Sequence, residues 1–245
     1  MSSPSSSSPS RLPTYFLSIG GPNFIENTQH PAYAQLKAVG HQITHKVKPK
    51  AIVVLSAHWQ ADSPNQILVN AAEDAELIYD FYGFPKSYYE VEYPNRGGRE
   101  VAEKVMDKLE RLIVDNEDPE QHYRLGEALA PLRDEGILIV GAGMAVHNLH
   151  DFRAARARGT AGETMPYAYS FDDALKNAAS SPPEHRKVNM LALLLRCDAR
   201  SAHPTLEHLM PMYVAAGAAG RDEGERLWTM ADGSLNWAQY KFGGK

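Results

Sequence analysis

Short, strongly apolar runs separated by helical spacing dominate the hydrophobic pattern of the chain. Residues 51–55 read Ala-Ile-Val-Val-Leu, and residues 137–140 read Ile-Leu-Ile-Val. Both runs are too short for a helix and rich in β-branched side chains, which is typical of strands covered on both faces. A third β-type run, residues 14–19, closes with Gly-Gly-Pro, a strong turn signal. The pattern predicts a parallel sheet at the centre of the fold.

The segments between these runs carry mostly helical periodicity. Helical spacing predicts helices over residues 30–47, 98–112, 119–135, 169–179, 185–195 and 204–219. A short strand is predicted at 66–70, a basic loop at 153–162 and a final strand pair within 228–242. Strands that alternate with helices, without an internal repeat, predict one α/β domain over residues 13–245, with a central, mostly parallel sheet flanked by helices.

Composition narrows the classes of function. The 245 residues are 43% hydrophobic, enough for one substantial core, and the net charge of −5 argues against a nucleic-acid partner. No apolar run approaches the roughly 20 residues of a membrane span. Residues 1–12 are rich in Ser and Pro and are predicted to be a disordered tail rather than a secretory signal. The single cysteine, Cys197, suits a reducing compartment, so the expected location is the cytoplasm.

Three of the ten histidines stand at the ends of predicted elements. His58 and His147 each follow a buried strand at its carboxyl end, the edge where ligands collect in α/β sheets. His208 lies beside Glu207 in the predicted first turn of the helix at 204–219. Neutral imidazole is the commonest metal ligand, so these residues are candidates for one metal site, with ordinary hydrogen-bonded histidines as the alternative. The remaining candidates are expected to be solvated: His30, His41, His45, His122 and His185.

Other kinds of catalytic site find less support in the sequence. There is no Gly-x-Ser-x-Gly elbow, and Cys197 has no nearby partner that would activate it. The run Gly141-Ala142-Gly143 lacks the rest of a dinucleotide fingerprint. Two aromatic-rich loops, at 79–85 and 88–94, either wall a pocket for a planar ligand or fill the core.

Five motifs in a fixed order carry a family resemblance. They are Ser18-Ile19-Gly20-Gly21-Pro22, Ser56-Ala57-His58-Trp59, residues 79–85 (Tyr-Asp-Phe-Tyr-Gly-Phe-Pro), His147-Asn148-Leu149 and His203-Pro204-Thr205-Leu206-Glu207-His208. Together they resemble the DOPA-dioxygenase-type extradiol ring-cleavage dioxygenases of the class III, LigB-like superfamily, over residues 14–242. The resemblance implies one divalent metal, with Fe(II) expected for catalysis and Zn²⁺ possible, a small catechol-type substrate and O₂. It also implies that His58, His147 and His208 are the metal ligands and that His203 binds substrate.

The chain departs from this family at two places. The family's first motif carries a ligand histidine where this chain has Ile19. A segment containing Asp-His-Gly-x-Trp and another strand is missing near residues 112–115, and with it the family's acid/base histidine, so no acid/base residue is assigned. His122 lies too far into the following helix to be an obvious substitute.

The two departures leave several readings open. The first is an extradiol dioxygenase, and the alternative is a non-catalytic metal-binding relative, either a pseudoenzyme or a shortened isoform. A metal-dependent hydrolase ranks last because Glu207 is the only carboxylate beside the histidine motifs. Neither the particular catechol nor the oligomeric state follows from the sequence.

Overall fold

The computed structural model describes residues 11–63, 66–160 and 162–244. The strands are β1 (Thr14–Ser18), β2 (Ala51–Ser56), β3 (Ile137–Gly143), β4 (Val146–His147), β5 (Gly224–Trp228), β6 (Ala231–Asp232), β7 (Leu235–Asn236) and β8 (Gln239–Phe242). The helices are α1 (Pro31–Gln42), α2 (Arg99–Leu109), α3 (Pro119–Leu129), α4 (Leu149–Arg158), α5 (Pro166–Ala179), α6 (Pro183–Ala192), α7 (Ala199–Ala202) and α8 (Met210–Ala219). None of the helices in these residues combines the length and apolarity that a membrane crossing requires.

The main sheet has the strand order β2-β3-β1-β8-β5. The strands β2, β3 and β1 are parallel, with Ile139 of β3 opposite Val53 on one side and Thr14 on the other. Strand β8 is antiparallel to both of its neighbours, so four of the five strands run in the same direction. This confirms the α/β domain with a mostly parallel central sheet. A smaller antiparallel sheet, β4-β7-β6, lies beside it.

Helices cover the central strands β1 and β3 of the main sheet on both faces, whereas β2, predicted to be covered on both faces, leaves Ile52 and Val54 half-exposed on one face. Every residue of α8 is buried, and α8 packs between α3 and strand β3. On the opposite face, α1 continues into a π-helical turn, Ile43–Val47, and its side chains Val39 and Ile43 pack on Tyr15 of β1 and Leu138 of β3. Because α8 has no solvent-exposed side, its sequence is apolar all round, as expected for a helix inside the core.

Glycines allow α8 to approach its neighbours very closely. A Cβ placed on Gly126 of α3 would lie 2.1 Å from the carbonyl oxygen of Val214, and one placed on Gly141 of β3 would lie 2.2 Å from that of Pro211. A Cβ on Gly143 would lie 2.1 Å from the carbonyl oxygen of His208. No residue with a side chain fits at these positions without moving the backbone. The glycines therefore determine how closely α8 packs on the sheet.

The carboxyl end of α8 is bound by two buried arginines. Arg133 donates from Nη1 to the carbonyl oxygen of Ala218 at 2.7 Å and also pairs with Asp222. Arg186 donates to the backbone carbonyls of Gly220 and Asp222 just beyond the helix. Positive charge at a helix carboxyl end is favourable because the last carbonyls lack helical partners. The side chains of Arg133 and Arg186 are fully buried, but their N–H groups donate hydrogen bonds to these carbonyls and to Asp222.

Two element predictions are wrong. Residues 66–70 form no strand; Ile67 and Val69 instead pack on the core cluster that contains Val105 of α2 and Leu125 of α3. The predicted basic loop at 153–162 is largely helix α4, which ends at Arg158, while residue 161 lies outside the described residues. The arginines there form the exposed side of a helix, whose start is capped because the side chain of Asn148 accepts a hydrogen bond from the backbone of Asp151.

The helix predicted at 204–219 starts six residues later than expected, at Met210. Pro211 lies in its first turn, where a residue without an N–H is tolerated. The carbonyl of His208 is already engaged, because it accepts a hydrogen bond from the backbone N–H of Met144 at 3.0 Å. Glu207 and His208 therefore lie in the turn that precedes α8. The tail predicted for residues 1–12 lies mostly outside the described residues, although Leu12 donates to the carbonyl of Arg133.

We expect Gly126→Ala to destabilise the fold by about 1–3 kcal/mol, because its methyl group would press on the backbone of α8. Gly40→Ala in α1 is the matched control: it has no atom within 4 Å of the new Cβ, and alanine favours a helix by up to about 1 kcal/mol. Urea unfolding followed by circular dichroism measures both changes. Equal effects of the two substitutions would contradict the close-packing argument.

Candidate metal centre

The candidate centre lies at the carboxyl edge of the parallel strands. Ile19 follows β1 and donates its backbone N–H to Gly143 at 3.0 Å, and Ala57 follows β2 and donates to Ala142 at 2.9 Å. His58 is the next residue, and His147 ends β4 shortly after β3. Parallel strands bring their carboxyl ends to one edge, so three sequence-distant motifs meet there.

Three predicted ligand histidines lie together in the structure. The Nε2 atoms of His58 and His208 are 3.0 Å apart. The rings of His147 and His208 are stacked, with their centroids 3.5 Å apart. Asn148 holds the neighbouring backbone in place, because its amide donates to the carbonyl of Ser201 at 2.8 Å and Ser234 donates to the carbonyl of Asn148 at 2.7 Å. The structure thus brings together residues separated by up to 150 positions in the sequence.

Glu207 joins this group, although the sequence prediction did not include it among the ligands. Its Oε1 atom lies 3.0 Å from Nδ1 of His208 and 4.0 Å from Nδ1 of His147. A carboxylate accepts hydrogen bonds, so Nδ1 of His208 carries the proton and its Nε2 keeps the lone pair that faces His58. A carboxylate behind a ligand imidazole in this way fixes its tautomer and orientation. The signal for Glu207 in the sequence was its position next to His208.

The protonation states suit metal binding. Burial, reinforced by the neighbouring His208, lowers the pKa of His147 to about 3, and the same two causes lower the pKa of His58. A hydrogen bond from His208 lowers the pKa of Glu207 to about 2. Near neutral pH the imidazoles of His58 and His147 are therefore neutral and the carboxylate is ionised, which are the forms that bind cations.

The donor atoms fit one divalent ion. Within the described residues, His147, Glu207 and His208 form a group whose ligand atoms all lie within 4.8 Å of one another. Imidazoles bind both Fe(II) and Zn²⁺, and the ionised Glu207 behind His208 would support its imidazole as a ligand. His58 adds a third imidazole, and its 3.0 Å separation from Nε2 of His208 suits two nitrogens at about 2.0–2.1 Å from the same ion. Position 19 is at the same edge, but isoleucine has no donor atom.

His203 is completely buried behind the candidate centre. Its Nε2 donates to the carbonyl oxygen of Ala145 at 2.9 Å, and its ring packs against Phe171. Among the described residues, no group bonds to its Nδ1 atom. The electrostatic influence of the His203 side chain also helps to lower the pKa of His147. The predicted substrate contact of His203 stays a prediction.

Two of the five histidines that were expected to be solvated, His30 and His122, are partly buried. His41, His45 and His185 are exposed, as predicted. His30 instead caps α1, where its Nδ1 accepts from the backbone of Ala32, and its ring lies on Trp237. His122 is half-buried and lines a cavity. Helical periodicity alone does not show that the side of α3 carrying His122 meets a cavity rather than solvent.

This cavity, of about 150 Å³, lies beside the candidate centre. Its lining residues come from the end of β2, the segment after it, the residues around 114–116, α3 and α8; they include Ser56, Trp59, Val114, His122 and Glu207. The aromatic residues of 79–94 pack on one another, with the rings of Phe81 and Tyr89 4.8 Å apart. They do not line this cavity.

Comparison with known proteins identifies the family. The family model described as the catalytic LigB subunit of aromatic ring-opening dioxygenase matches residues 10–117 and 112–235. The chain belongs to this family. Its LigB-type relatives are ring-opening dioxygenases, which are metal-dependent oxidoreductases.

Individual relatives agree with this assignment. The chain is 31% identical to a 4,5-DOPA dioxygenase extradiol of Beta vulgaris, over 94% of this chain and 96% of that protein. It is 30% identical to the protein of the same name from Portulaca grandiflora, over 94% and 95% of the two chains. The crystal structure of an uncharacterised protein of Escherichia coli K12 has the same fold, with a TM-score of 0.70. The two chains are 23% identical, and the match covers 95% of this chain and 100% of the other. The LigB-like fold and the family resemblance inferred from the motifs are confirmed.

We expect His58→Ala and His147→Ala each to weaken metal binding at least about tenfold, because each removes an imidazole from the centre. Metal content after dialysis, measured by mass spectrometry, tests this. His185→Ala is the control, since His185 is exposed on α6. Full metal content in both site variants would remove these residues from the ligand set.

Proposed function

We propose that this chain is an extradiol dioxygenase that opens a catechol-type aromatic ring with O₂ at one divalent metal. The observation that carries this proposal is the cluster of His58, His147 and His208 at the carboxyl edge of the sheet, next to a cavity. Fe(II) is the expected ion for catalysis, because redox chemistry with O₂ needs an ion that changes oxidation state, whereas Zn²⁺ has no redox chemistry.

The residues of the chain have distinct roles in this proposal. His58, His147 and His208 hold the ion, which supplies the chemistry of O₂ activation when bound. Glu207 orients His208 and holds the proton on its Nδ1 atom. His203 is completely buried and does not line this cavity, so a substrate contact at its unused Nδ1 atom would require the substrate to reach behind the centre. Apolar residues of the cavity, such as Met210 and Val214, exclude water from the reacting ring.

The proposed substrate is a single catechol ring. The cavity of about 150 Å³ has the volume that accommodates one benzene ring in a protein interior. The relatives from Beta vulgaris and Portulaca grandiflora are named for 4,5-DOPA. Their names support a catechol bearing a polar side chain as the first substrate to try.

We also propose that a segment near residues 112–115 is missing from the domain at 13–245. Three observations support this. The family model matches in two ranges that overlap at 112–117, and the comparison with the Beta vulgaris protein extends over 270 residues, more than the 245 of this chain. Strand β2 is an edge strand of the main sheet, and its side chains Ile52 and Val54 are 49% and 54% exposed. An apolar sheet edge of this kind is what the loss of a neighbouring strand leaves behind.

A non-catalytic metal-binding relative is the alternative. The observation that favours it is Ile19, which provides no donor at the position of a family ligand. The retained group of three histidines and Glu207 favours catalysis instead, because a metal-binding remnant has no need of a cavity beside its ion. The cytoplasmic location and the lack of a nucleic-acid partner stay predictions.

We expect the protein, loaded with Fe(II) without oxygen and then exposed to O₂ and a panel of catechols, to form a coloured ring-opened product. The same protein loaded with Zn²⁺ is the control, since Zn²⁺ cannot take part in electron transfer. Absorption spectra follow the product. A folded, Fe(II)-loaded protein that gives no more product than the Zn²⁺ control would establish the non-catalytic alternative.

We expect Ile19→His to bind Zn²⁺ at least about tenfold more tightly than the wild type, because position 19 lies at the same sheet edge as His58. Ile52→His, near the start of β2 and with a half-exposed side chain, is the matched control and should leave the affinity unchanged. Competition with a coloured chelator measures the affinities. An unchanged affinity in the Ile19 variant would mean that this position does not face the ion.

A further inference from the structure

The cavity beside the metal centre extends from Glu207 to His122 on α3. Val114 and Asn116, at the junction where the segment is proposed to be missing, line it as well. The gap in the chain thus borders the same space as the candidate centre. His122 is the first histidine after this junction, and α3 places it in the cavity wall.

The ring of His122 has one nitrogen engaged and one available. Its Nδ1 lies 2.8 Å from the carbonyl oxygen of Asp118. A carbonyl oxygen only accepts hydrogen bonds, so Nδ1 carries the proton, and the lone pair of the neutral ring is on Nε2. Within the described part of the chain, the hydrogen bond of the His122 ring is the one at Nδ1, which leaves the Nε2 lone pair to accept. When one ring nitrogen donates to a backbone carbonyl in this way, the other nitrogen of the histidine is free to accept.

His122 is neutral at pH 7 in the protein. Burial lowers its pKa, while the hydrogen bond to Asp118 and the charges of Asp118 and Asp115 act in the opposite direction. A neutral imidazole is the form that accepts a proton. The same backbone carbonyl and carboxylates stabilise the imidazolium that results.

The rest of the cavity suits an aromatic ring with hydroxyl groups. Its walls include apolar side chains such as Ile67, Leu125 and Met210, which remove water from a flat ring. The polar lining consists of His122 on α3, Glu207 beside the candidate centre, and Ser56, Gln60, Gln66 and Asn116. An aromatic ring that carries hydroxyl groups can therefore form hydrogen bonds in this cavity while its faces lie against the apolar side chains.

We propose that His122 accepts the hydrogen bond, and then the proton, of a hydroxyl group on an aromatic ligand bound in this cavity. In this step the O–H bond breaks, an N–H bond forms at Nε2, and the electron pair stays on the phenolate oxygen. The identity of the ligand as a catechol rests on the proposed function, whereas the place of His122 rests on the cavity and its hydrogen bond to Asp118. His122 thus supplies, from α3, an acid/base group that the missing segment does not.

The test uses 4-nitrocatechol, whose visible absorption differs between its neutral and ionised forms, and the full chain loaded with Zn²⁺ so that no ring opening occurs. Four proteins are compared at one pH and equal metal content: the wild type, His122→Gln, His122→Leu and the control His185→Gln on the surface of α6. The affinity and the ionised fraction of the bound ligand are measured, and thermal unfolding confirms that each variant is folded.

We expect wild type and the His185→Gln control to bind with the same affinity and the same ionised fraction. His122→Leu should bind at least about tenfold more weakly, because it cannot accept a hydrogen bond. His122→Gln should keep part of the affinity, because its amide forms a hydrogen bond, but lose ionised ligand, because an amide takes up no proton. This contrast separates a proton acceptor from a residue that only fills space.

The inference would be overturned if both His122 variants bound 4-nitrocatechol with the same affinity and the same ionised fraction as the control. It would also be overturned if the wild type did not bind 4-nitrocatechol. Ring opening by the Fe(II)-loaded wild type is scored separately. If the Fe(II)-loaded wild type opens no ring but the His122 variants differ as expected, the proposed function fails and the role of His122 stands. If the wild type opens the ring but the variants do not differ, the role of His122 fails and the proposed function stands.

Discussion

The close approach of α8 to strand β3 is the constraint on which the candidate centre depends. Gly141 and Gly143 leave no side chain between strand and helix, so the carbonyl groups of Pro211 and His208 pack directly against the strand. The backbone of Met144 then donates to His208, which fixes the turn before the helix. This hydrogen bond holds His208 against the segment that carries His147. A larger residue at either glycine would separate two candidate ligands as well as loosen the core.

The opposite end of α8 is held equally firmly. Arg133 and Arg186 are buried, and their donors are used by the carbonyls at the end of the helix and by Asp222. Removing a partner of such a buried charge is costly, because the remaining charge has no water to replace it. With its first turn fixed by β3 and its last turn fixed by arginines, α8 has little freedom to slide. The donor atoms at its start are thereby positioned before any ion binds.

The centre and the cavity are connected by electrostatics as well as by position. Burial keeps His58, His147 and His122 neutral, while Glu207 remains ionised through its bond with His208. The site therefore holds one negative charge among neutral imidazoles, an arrangement that favours a cation. Strand β2 lies at the edge of the sheet, and Val114, Asn116 and His122 line the same cavity as Glu207. The loss of a segment that we propose near residues 112–115 would account for both features, and it would leave room for His122 beside the centre.

Short apolar runs were enough to predict the parallel sheet and the positions of His58 and His147 after its strands, because a strand pattern is a local property of the sequence. The ordered motifs were enough to predict the family. The sequence did not reveal that residues 153–158 are helical or that α8 begins only at Met210, since capping by Asn148 and the hydrogen bond from Met144 to His208 decide these points. It also did not reveal that residues 66–70 form no strand. The inclusion of Glu207 and the burial of His122 were decided by the tertiary structure alone. The 4.0 Å approach of Glu207 to His147 and the place of His122 in the cavity wall both depend on segments far apart in the chain, which no local pattern records.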